Sequence, residues 1–249
     1  MISCKNFQST PTLVIGDIHQ NIQKLESTIY TLKGQYENIL VLGDWFDTHV
    51  FEDRASRIET AKYFAEFLHT PGQYSLVGNH DLQYLYLGNS LRCSGFSEAF
   101  RNWMWNDEGK KTRLSILQSG NLFWFAQVEQ YLCTHGGLHP RQIPIKIGIP
   151  TITMDKVYTW LEIESRKANE ALTNCFPHWF WSVGKARGGN LPQGGILWLD
   201  FNQEFEHIVE IPQIVGHTPG DEIRQEGNSF CIDSTNEDYL LIPDLRNKT

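Results

Sequence analysis

The stretch Thr12-Leu13-Val14-Ile15-Gly16-Asp17-Ile18-His19 decides the fold. Its first four residues form a short apolar run, which predicts a buried strand, and two side chains able to bind a metal follow the break at Gly16. The same arrangement recurs at Gly43-Asp44-Trp45-Phe46-Asp47, Gly78-Asn79-His80-Asp81, Cys133-Thr134-His135-Gly136-Gly137 and Val215-Gly216-His217-Thr218. A strand that stops at a sharp turn just before a polar side chain is therefore a repeated feature of this chain.

Helical spacing of apolar residues separates the first three of these segments. Strands at 12–15, 39–42 and 74–77 alternate with helices at 22–32 and 58–68, and this order predicts a largely parallel sheet. A further helix is predicted at 157–172, and a tightly turned or mobile glycine-rich loop at 184–195. The remaining strands are predicted at 122–126, 131–134, 196–199, 208–211, 214–215, 230–232 and 239–242. We expect two sheets packed face to face with helices outside.

Length and composition predict a single domain. The chain has 249 residues, of which 41% are hydrophobic, so it can bury a large core without disulfides or a structural metal. Two segments lack the regular alternation and are candidate cap or insert segments, 88–120 and 141–195. We therefore expect one domain over residues 1–249.

Net charge and cysteine spacing limit the kinds of partner and of metal site that we expect. The formal net charge is -8, which argues against a nucleic-acid polymer and against an anionic membrane surface. The five cysteines are scattered without a C-x-x-C pair, so a thiolate zinc site is not expected, and reduced thiols fit a cytoplasmic protein. The polar first ten residues lack the apolar core of a signal peptide.

The strand-end side chains suit divalent metal ions. Carboxylate, imidazole and amide groups, without thiolate, are ligands for hard or borderline metals, and the carboxyl ends of parallel strands meet at one edge of a sheet. Asp17 and His19 can bind one ion, and the two oxygens of Asp44 can bridge two ions. The second ion's shell can be completed by Asn79, His135 and His217.

Taken singly, each of these motifs has a simpler interpretation. A lone Gly-Asp is most often a turn, and a lone histidine is most often packed or solvated. Only the joint occurrence of five such strand ends favours a metal pair. The histidines without this context, interpreted as structural, are His49, His69, His139, His178 and His207.

These motifs, in this order, resemble the calcineurin-like metallophosphoesterase superfamily, whose series is G-D-x-H, G-D-x-x-D, G-N-H-[DE], a histidine with glycines, and G-H. The resemblance runs from residue 11 to about 219. It is closest to the serine/threonine phosphoprotein phosphatase branch and its small bacterial and phage relatives. Residues 133–140 are similar to that branch's C-x-H-G-G-L-S-P, and residues 195–200 to its L-L-W-x-D strand.

The resemblance implies a four-layer α/β/β/α sandwich with mixed sheets and two divalent ions. Because oxygen and imidazole ligands accept manganese, we expect that ion, and zinc or iron would fit the same ligands. The resemblance implies that Asp17 and His19 bind the first ion, that Asp44 bridges, and that the second ion is bound by Asn79, His135 and His217. It further implies attack by a metal-bridging hydroxide, with His80 as the general acid held by Asp47. A structural interpretation of His80, as a brace for Asn79, stays open.

The chain departs from the family pattern at three places. Gln20 stands where the family usually has glycine. Thr48-His49 stands where the phosphatase branch has Arg-Gly, and the branch's second phosphate-binding arginine has no clear counterpart. We therefore interpret Arg187 as the group that grips the phosphate, with an exposed loop cation as the alternative. The other candidate cations are Lys185, Arg54, Arg92 and Arg141.

These features predict a phosphatase acting on phosphate monoesters, with a phosphorylated small molecule, nucleotide or phosphoprotein as substrate. The alternative is a nucleotide phosphohydrolase, such as one cleaving dinucleoside polyphosphates. The missing arginine favours this alternative, and so do tryptophans that could stack on a base. Tryptophans are more often core residues. The ones considered are Trp103, Trp105, Trp124, Trp160, Trp179 and Trp181. A binding scaffold without turnover would be expected to have lost a ligand, and all six are present.

Overall fold

The strand predicted at 12–15 lies inside a mixed ten-stranded sheet. The computed structural model describes residues 1–48, 54–86, 92–148 and 151–243. Within them the strands are β1 (Ser3–Phe7), β2 (Thr12–Ile15), β3 (Asn38–Val41), β4 (Gln73–Leu76), β5 (Leu122–Val128), β6 (Tyr131–Thr134), β7 (Gln213–Val215), β8 (Arg224–Glu226), β9 (Ser229–Cys231) and β10 (Tyr239–Ile242). Their order is β10-β2-β3-β4-β5-β6-β7-β9-β8, and β1 pairs with β5.

The helices predicted from apolar spacing are present. The α-helices in the described residues are α1 (Ile22–Thr31), α2 (Arg54–His69), α3 (Asn79–Leu85), α4 (Glu98–Trp105), α5 (Asp107–Gln118), α6 (Ile145–Gly148) and α7 (Met154–Thr173). Side-chain caps set several of the starts: Asn21 accepts from the Lys24 N–H at α1, and Thr153 accepts from the Lys156 N–H at α7.

The predicted parallel pairing is confirmed. β2, β3, β4 and β5 pair in parallel, as do β6, β7 and β9, because helices or long connections carry the chain back between neighbouring strands. β5 and β6 form an antiparallel hairpin. The carboxyl ends of β2, β3 and β4 consequently lie at one edge of the sheet, whereas β6 and β7 run in the opposite direction. The residues that follow β4 and β6 meet all the same, because Asn79 Oδ1 lies 2.8 Å from His135 Nε2.

Both faces of the sheet are buried. Ile15 and Val41 point into the larger apolar cluster, which includes the helix residues, whereas Val14 and Leu40 point into a cluster formed by strand residues and their immediate neighbours. That second cluster also contains Ile214 from the far half of the sheet, so the sheet curls and its halves cover each other. This is the layered α/β class expected from the sequence, although hydrogen bonding runs through one continuous sheet rather than two.

Two of the predicted strands are wrong. Residues 196–199 and 208–211 form turns, in which the Trp198 and Leu199 N–H groups donate to the Gly195 carbonyl and the Ile211 N–H donates to the Ile208 carbonyl. Both runs are apolar because they are buried, and burial alone does not distinguish a strand from a packed turn. The sequence also missed β1 and β8, whose polar residues carry little strand signal.

The glycine-rich segment 184–195 is tightly turned. A Cβ at Gly195 would lie 1.8 Å from the Trp179 carbonyl oxygen, so the loop backbone packs directly against its neighbour. The loop contains a short 3₁₀ turn, Lys185–Arg187. Among the residues that the structure describes, no helix is long and apolar enough to cross a membrane.

Candidate metal centre

The residues that follow the parallel strands are held in an uncommon backbone conformation. His19, Asp44, Asp47 and His217 have φ angles of 43°, 50°, 60° and 66°. Non-glycine residues rarely occupy this left-handed region, and when they do the strain commonly marks a functional site. The sharp turn at each strand end aims the side chain back over the edge of the sheet.

Asp44 lies at the centre of the cluster. One carboxylate oxygen, Oδ1, accepts a hydrogen bond of 2.9 Å from the His80 backbone N–H, and this fixes the orientation of the side chain. The other, Oδ2, lies 3.3 Å from His135 Nε2 and 3.9 Å from His19 Nε2. A single oxygen of Asp44 therefore faces ligands that come from two different strand ends.

Glycine is required where two of the turns pass behind the carboxylates. A Cβ at Gly78 would lie 2.0 Å from Asp44 Oδ1, and one at Gly216 would lie 2.1 Å from Asp17 Oδ1. The same close approach lets the His217 N–H donate to both oxygens of Asp17, at 3.1 and 3.0 Å. The glycines of the motifs thus leave room for backbone N–H groups to donate hydrogen bonds to the carboxylates of Asp17 and Asp44.

Asn79, His135 and His217 converge on one point. The Asn79 Oδ1 atom lies 2.8 Å from His135 Nε2 and 2.9 Å from His217 Nδ1. The Asn79 Nδ2 group donates to the Cys93 sulfur at 3.2 Å, which turns the amide oxygen inward. His135 Nδ1 donates to the Leu42 carbonyl at 2.9 Å, and this leaves Nε2 to present a lone pair in the neutral ring.

Asp17 and His19 face Asp44 from the other side. His19 Nδ1 donates to the Asp47 carbonyl at 2.6 Å, so Nε2 points toward the carboxylates, 3.8 Å from Asp17 Oδ2. Candidate ligand atoms of Asp17, His19 and Asp44 all lie within 4.8 Å of one another, and the same holds for Asp44, His135 and His217. These donors fit two cations that share Asp44.

The buried carboxylates of the cluster favour a positive charge beside them. Burial would lower the pKa of His135, but the carboxylates of Asp44 and Asp17 raise this pKa to about 10. Burial raises the pKa of Asp17 well above its ordinary value, and the neighbouring Asp233 carboxylate raises it further. Buried acceptors that hold a proton this firmly are suited to bind a cation in its place.

His80 and Asp47 form a buried pair beside this cluster. His80 Nδ1 lies 3.1 Å from Asp47 Oδ2, in the arrangement predicted from the sequence. Asp47 also accepts hydrogen bonds from Gln83 Nε2 at 2.5 Å and from the Tyr84 hydroxyl at 2.6 Å, and Arg57 Nε lies 3.4 Å away. These three supports were not predicted from the sequence, although Gln83 and Tyr84 follow His80 at helical spacing on α3.

Asp233 is a further site residue that was not predicted from the sequence. It follows β9 after one residue and lines the same cavity as Asp17 and His19. An apolar run at 230–232 followed by a carboxylate was the available signal. Asp233 was not recognised as a candidate because that strand end lacks the glycine of the other motifs.

Arg187 lies in the wall of the cavity, as the sequence analysis expected of the phosphate-binding cation. Its Nη2 group donates to the His217 carbonyl at 3.3 Å and to Thr218 Oγ1 at 3.1 Å, and its Nε atom lies 2.9 Å from Asp200 Oδ2. Lys185 is exposed and does not line the cavity. The loop therefore brings one of its two cations to the site.

Two of the other candidate cations, Arg92 and Arg141, do not line the cavity. Arg141 is 71% exposed beside Glu206, and the Arg92 guanidinium stacks on Phe96 at 4.4 Å. The Arg54 side chain lies outside the described residues.

The cavity has a volume of about 400 Å³, and Trp198 is the tryptophan in its wall. The ring of Trp198 contacts that of His217, with centroids 5.6 Å apart. The six tryptophans considered for base stacking belong to the core or pack against it. Their number therefore reflects core packing.

The histidines interpreted as structural make structural contacts. His69 contacts the Ser115 hydroxyl, His207 contacts the Ser229 hydroxyl, and His178 accepts from the Phe180 N–H. His139 lies 3.2 Å from Glu206. His49 lies outside the described residues.

Fold and site together define a metal-binding α/β protein with carboxylate, imidazole and amide ligands. Residues 10–221 match the model of the family described as calcineurin-like phosphoesterase, and the chain belongs to that family. It is therefore a hydrolase of phosphoric esters. No curated protein sequence matches the chain significantly.

Three solved structures resemble the chain to different degrees. A cold-active protein-tyrosine phosphatase of a psychrophilic Shewanella species is 15% identical, with a TM-score of 0.54 over 98% of this chain and 78% of that chain. A candidate diadenosine tetraphosphatase is 13% identical (TM-score 0.48, 98% of both chains). A serine/threonine phosphatase of Saccharomyces cerevisiae, similar to human phosphatase PP5, is 17% identical (TM-score 0.49, 95% of this chain and 74% of that chain). At 15% identity, the likeness to the Shewanella phosphatase shows the fold alone.

Proposed function

We propose that this protein hydrolyses phosphate monoesters with two divalent metal ions. The observation that carries the proposal is that side chains from five strand ends cluster around Asp44: ligand atoms of Asp17 and His19, and those of His135 and His217, lie within 4.8 Å of it, and Asn79 Oδ1 contacts both His135 and His217. The proposed ligands of the first ion are Asp17, His19 and Asp44, and those of the second are Asp44, Asn79, His135 and His217. When bound, two such ions neutralise phosphate charge and acidify a water between them. Manganese is the ion that we propose, because oxygen and imidazole ligands accept it, and zinc or iron would fit the same ligands.

His80 is proposed to donate the proton that the departing alkoxide needs. Its Nδ1 atom is held by Asp47, so its Nε2 atom is directed away from that carboxylate, and the side chain lines the cavity. Asp47 is itself held by several hydrogen bonds, so the imidazole has one orientation and one tautomer. This is the geometry required of a general acid.

Arg187 is proposed to bind the phosphate oxygens. Asp200 and the Thr218 hydroxyl hold the guanidinium at the cavity wall, and its Nη1 group makes none of the contacts described above. A planar guanidinium matches the spacing of phosphate oxygens. A nucleotide substrate has weaker support, because the tryptophans that favoured it lie in the core.

Removal of metal tests the proposal directly. The full chain is stripped with chelator, reloaded with Mn²⁺, and assayed on p-nitrophenyl phosphate while bound metal is counted by mass spectrometry. We expect two ions per chain, activity only in the reloaded protein, and near-complete loss of both in Asp44→Asn. Asp155→Asn, an exposed carboxylate of α7, is the matched control and should behave as the parent. Undiminished activity after chelation would contradict the proposal.

A further inference from the structure

A second groove adjoins the metal cavity and shares His19, Asn21 and Thr48 with its wall. This groove has a volume of about 500 Å³, and it runs between the turn after β2 and the helix α2. The other polar residues that line it are Gln20, Gln23, Ser56, Glu59 and Thr60. Its wall is therefore mainly uncharged, with hydrogen-bonding groups.

Gln20 is the distinctive residue of this groove. Its φ angle is 65°, in the left-handed region that glycine occupies without strain, so the chain places a long side chain where glycine, which lacks a Cβ, would cost less. The backbone is held by two hydrogen bonds, from the Gln20 N–H to the Trp45 carbonyl and from the Ile22 N–H to the Gln20 carbonyl. The side chain is consequently presented to the groove from a rigid turn.

The side-chain amide of Gln20 is half satisfied. Its Oε1 atom accepts from the Ser56 hydroxyl at 3.4 Å, whereas its Nε2 group is buried without a hydrogen-bond partner in the described structure. A buried donor without an acceptor costs free energy, so such a group normally has a partner when the protein works. An acceptor on a ligand in the groove would supply it.

The position of the groove indicates which part of the substrate would enter it. The groove begins at His19, and the His19 ring contacts the ring of His80, with centroids 5.3 Å apart. The leaving oxygen must lie at His80, because that residue is proposed to protonate it. The group attached to that oxygen can therefore extend past His19 toward Gln20.

Charge in the groove restricts the leaving group further. The wall of the groove contains the carboxylate of Glu59. Apart from His19, the other described residues of the wall are uncharged. A carboxylate there repels a leaving group that carries further phosphates. An uncharged leaving group is not affected in this way.

From these observations we infer that the groove binds the alcohol part of a phosphate monoester, through a carbonyl or hydroxyl oxygen that accepts from Gln20 Nε2, and that it disfavours a polyphosphate leaving group. The inference rests on the proposed phosphomonoesterase function and names its substrate class. A peptide backbone and a nucleoside both offer such an acceptor. The assay must therefore include both.

Gln20→Met tests the inference, because methionine keeps the length and the backbone strain but removes the amide. We compare kcat/KM on phenyl phosphate, a neutral phosphoserine peptide, a nucleoside 5′-monophosphate and diadenosine tetraphosphate. Of the phosphoserine peptide and the nucleoside monophosphate, the parent enzyme should prefer one. On that substrate we expect kcat/KM of Gln20→Met to fall about three- to tenfold, the effect of one lost hydrogen bond. Phenyl phosphate, which has no such acceptor, should change less than about twofold.

Matched variants separate this role from general damage. Gln118→Met removes an exposed amide at the end of α5, outside both the groove and the metal cavity, and should leave every rate within about twofold. Gln20→Gly relieves the backbone strain, so its melting temperature should equal or exceed that of the parent. Glu59→Gln should raise the rate on diadenosine tetraphosphate relative to phenyl phosphate.

Three results would overturn the inference: equal losses on all substrates in Gln20→Met, no loss on any substrate, or a parental preference for the tetraphosphate. If phenyl phosphate is hydrolysed with metal in each of these cases, the proposed function stands and only the groove assignment fails. If phenyl phosphate is not hydrolysed by metal-loaded parent protein, the proposed function itself fails.

Discussion

His80 lies between two carboxylates that act on it differently. Asp47 holds its Nδ1 atom at 3.1 Å, whereas Asp44 Oδ2 lies 4.0 Å from its Nε2 atom and also faces His135 and His19. The first carboxylate orients the ring, and the second belongs to the proposed metal ligands. At the scale of single residues, proton donation and metal binding are thus assigned to neighbouring but separate groups.

Replacement of His80 should separate the two functions. We expect His80→Asn to lower kcat by about 10²–10⁴, the usual contribution of a general acid, without changing bound metal. The loss should be larger for an alkyl phosphate than for p-nitrophenyl phosphate, because the acidic nitrophenol leaves with little protonation. Steady-state rates and metal counts on the same sample measure this.

His69→Asn, which removes only a contact with the Ser115 hydroxyl, is the control for that experiment. If His80→Asn instead empties the metal site, His80 braces Asn79 and is not the acid.

The glycine-rich loop is an element that one carboxylate holds in shape. Glu204 accepts from the backbone N–H groups of Ala186 at 3.1 Å, Gly194 at 2.9 Å and Asp200 at 3.3 Å. These bonds tie both ends of the loop to the turn that follows it. Arg187 projects from the same loop, so its position at the cavity wall depends on Glu204.

Neutralising Glu204 should therefore affect substrate binding more than turnover. A neutral amide in Glu204→Gln keeps the size but weakens bonds to backbone donors, so we expect KM to rise about three- to tenfold with kcat nearly unchanged. Glu206→Gln, which alters an exposed neighbouring carboxylate, should leave KM unchanged. An unchanged KM in Glu204→Gln would show that the loop holds Arg187 without this residue.

At the scale of the whole molecule, the proposed site joins parts of the chain that are far apart. The His217 N–H donates to Asp17 across 200 residues of sequence, and Asp44 accepts from the backbone of His80. Cations bound among these residues would bind the folded state alone. Metal binding should consequently stabilise the entire fold.

Calorimetry with and without chelator measures this coupling. Mn²⁺ at about 100 times its dissociation constant should add about 2.7 kcal/mol to the free energy of unfolding. For a chain of this length that corresponds to a melting temperature about 5–10 °C higher. Asp44→Asn should show a smaller shift and Asp155→Asn the parental one. Equal melting temperatures for metal-free and Mn²⁺-treated parent protein would contradict the coupling.

Local patterns were sufficient for much of the fold. Apolar runs that end in Gly-Asp or Gly-Asn predicted β2, β3 and β4, and the helices between them required parallel pairing, because helical crossovers normally connect parallel strands. The six proposed metal ligands were predicted in the same way, since each follows a strand end closely. Their assignment as ligands stays a prediction.

The failures have two causes. The runs at 196–199 and 208–211 look like strands but pack as turns, because an apolar run reports burial and not backbone conformation. Asp233 follows an apolar run that lacks the glycine turn of the other strand ends, and Arg57 reaches Asp47 from α2, where no strand end marks it.

The amino-acid sequence by itself determined the strand ends and the ligand types, because both depend on residues adjacent in the chain. Only the tertiary structure decided which atom of each ligand faces inward, how Asp47 and Arg187 are held, and that a groove beside Gln20 exists. Those features depend on the curl of the sheet and on packing between segments up to 200 residues apart, which no local pattern encodes.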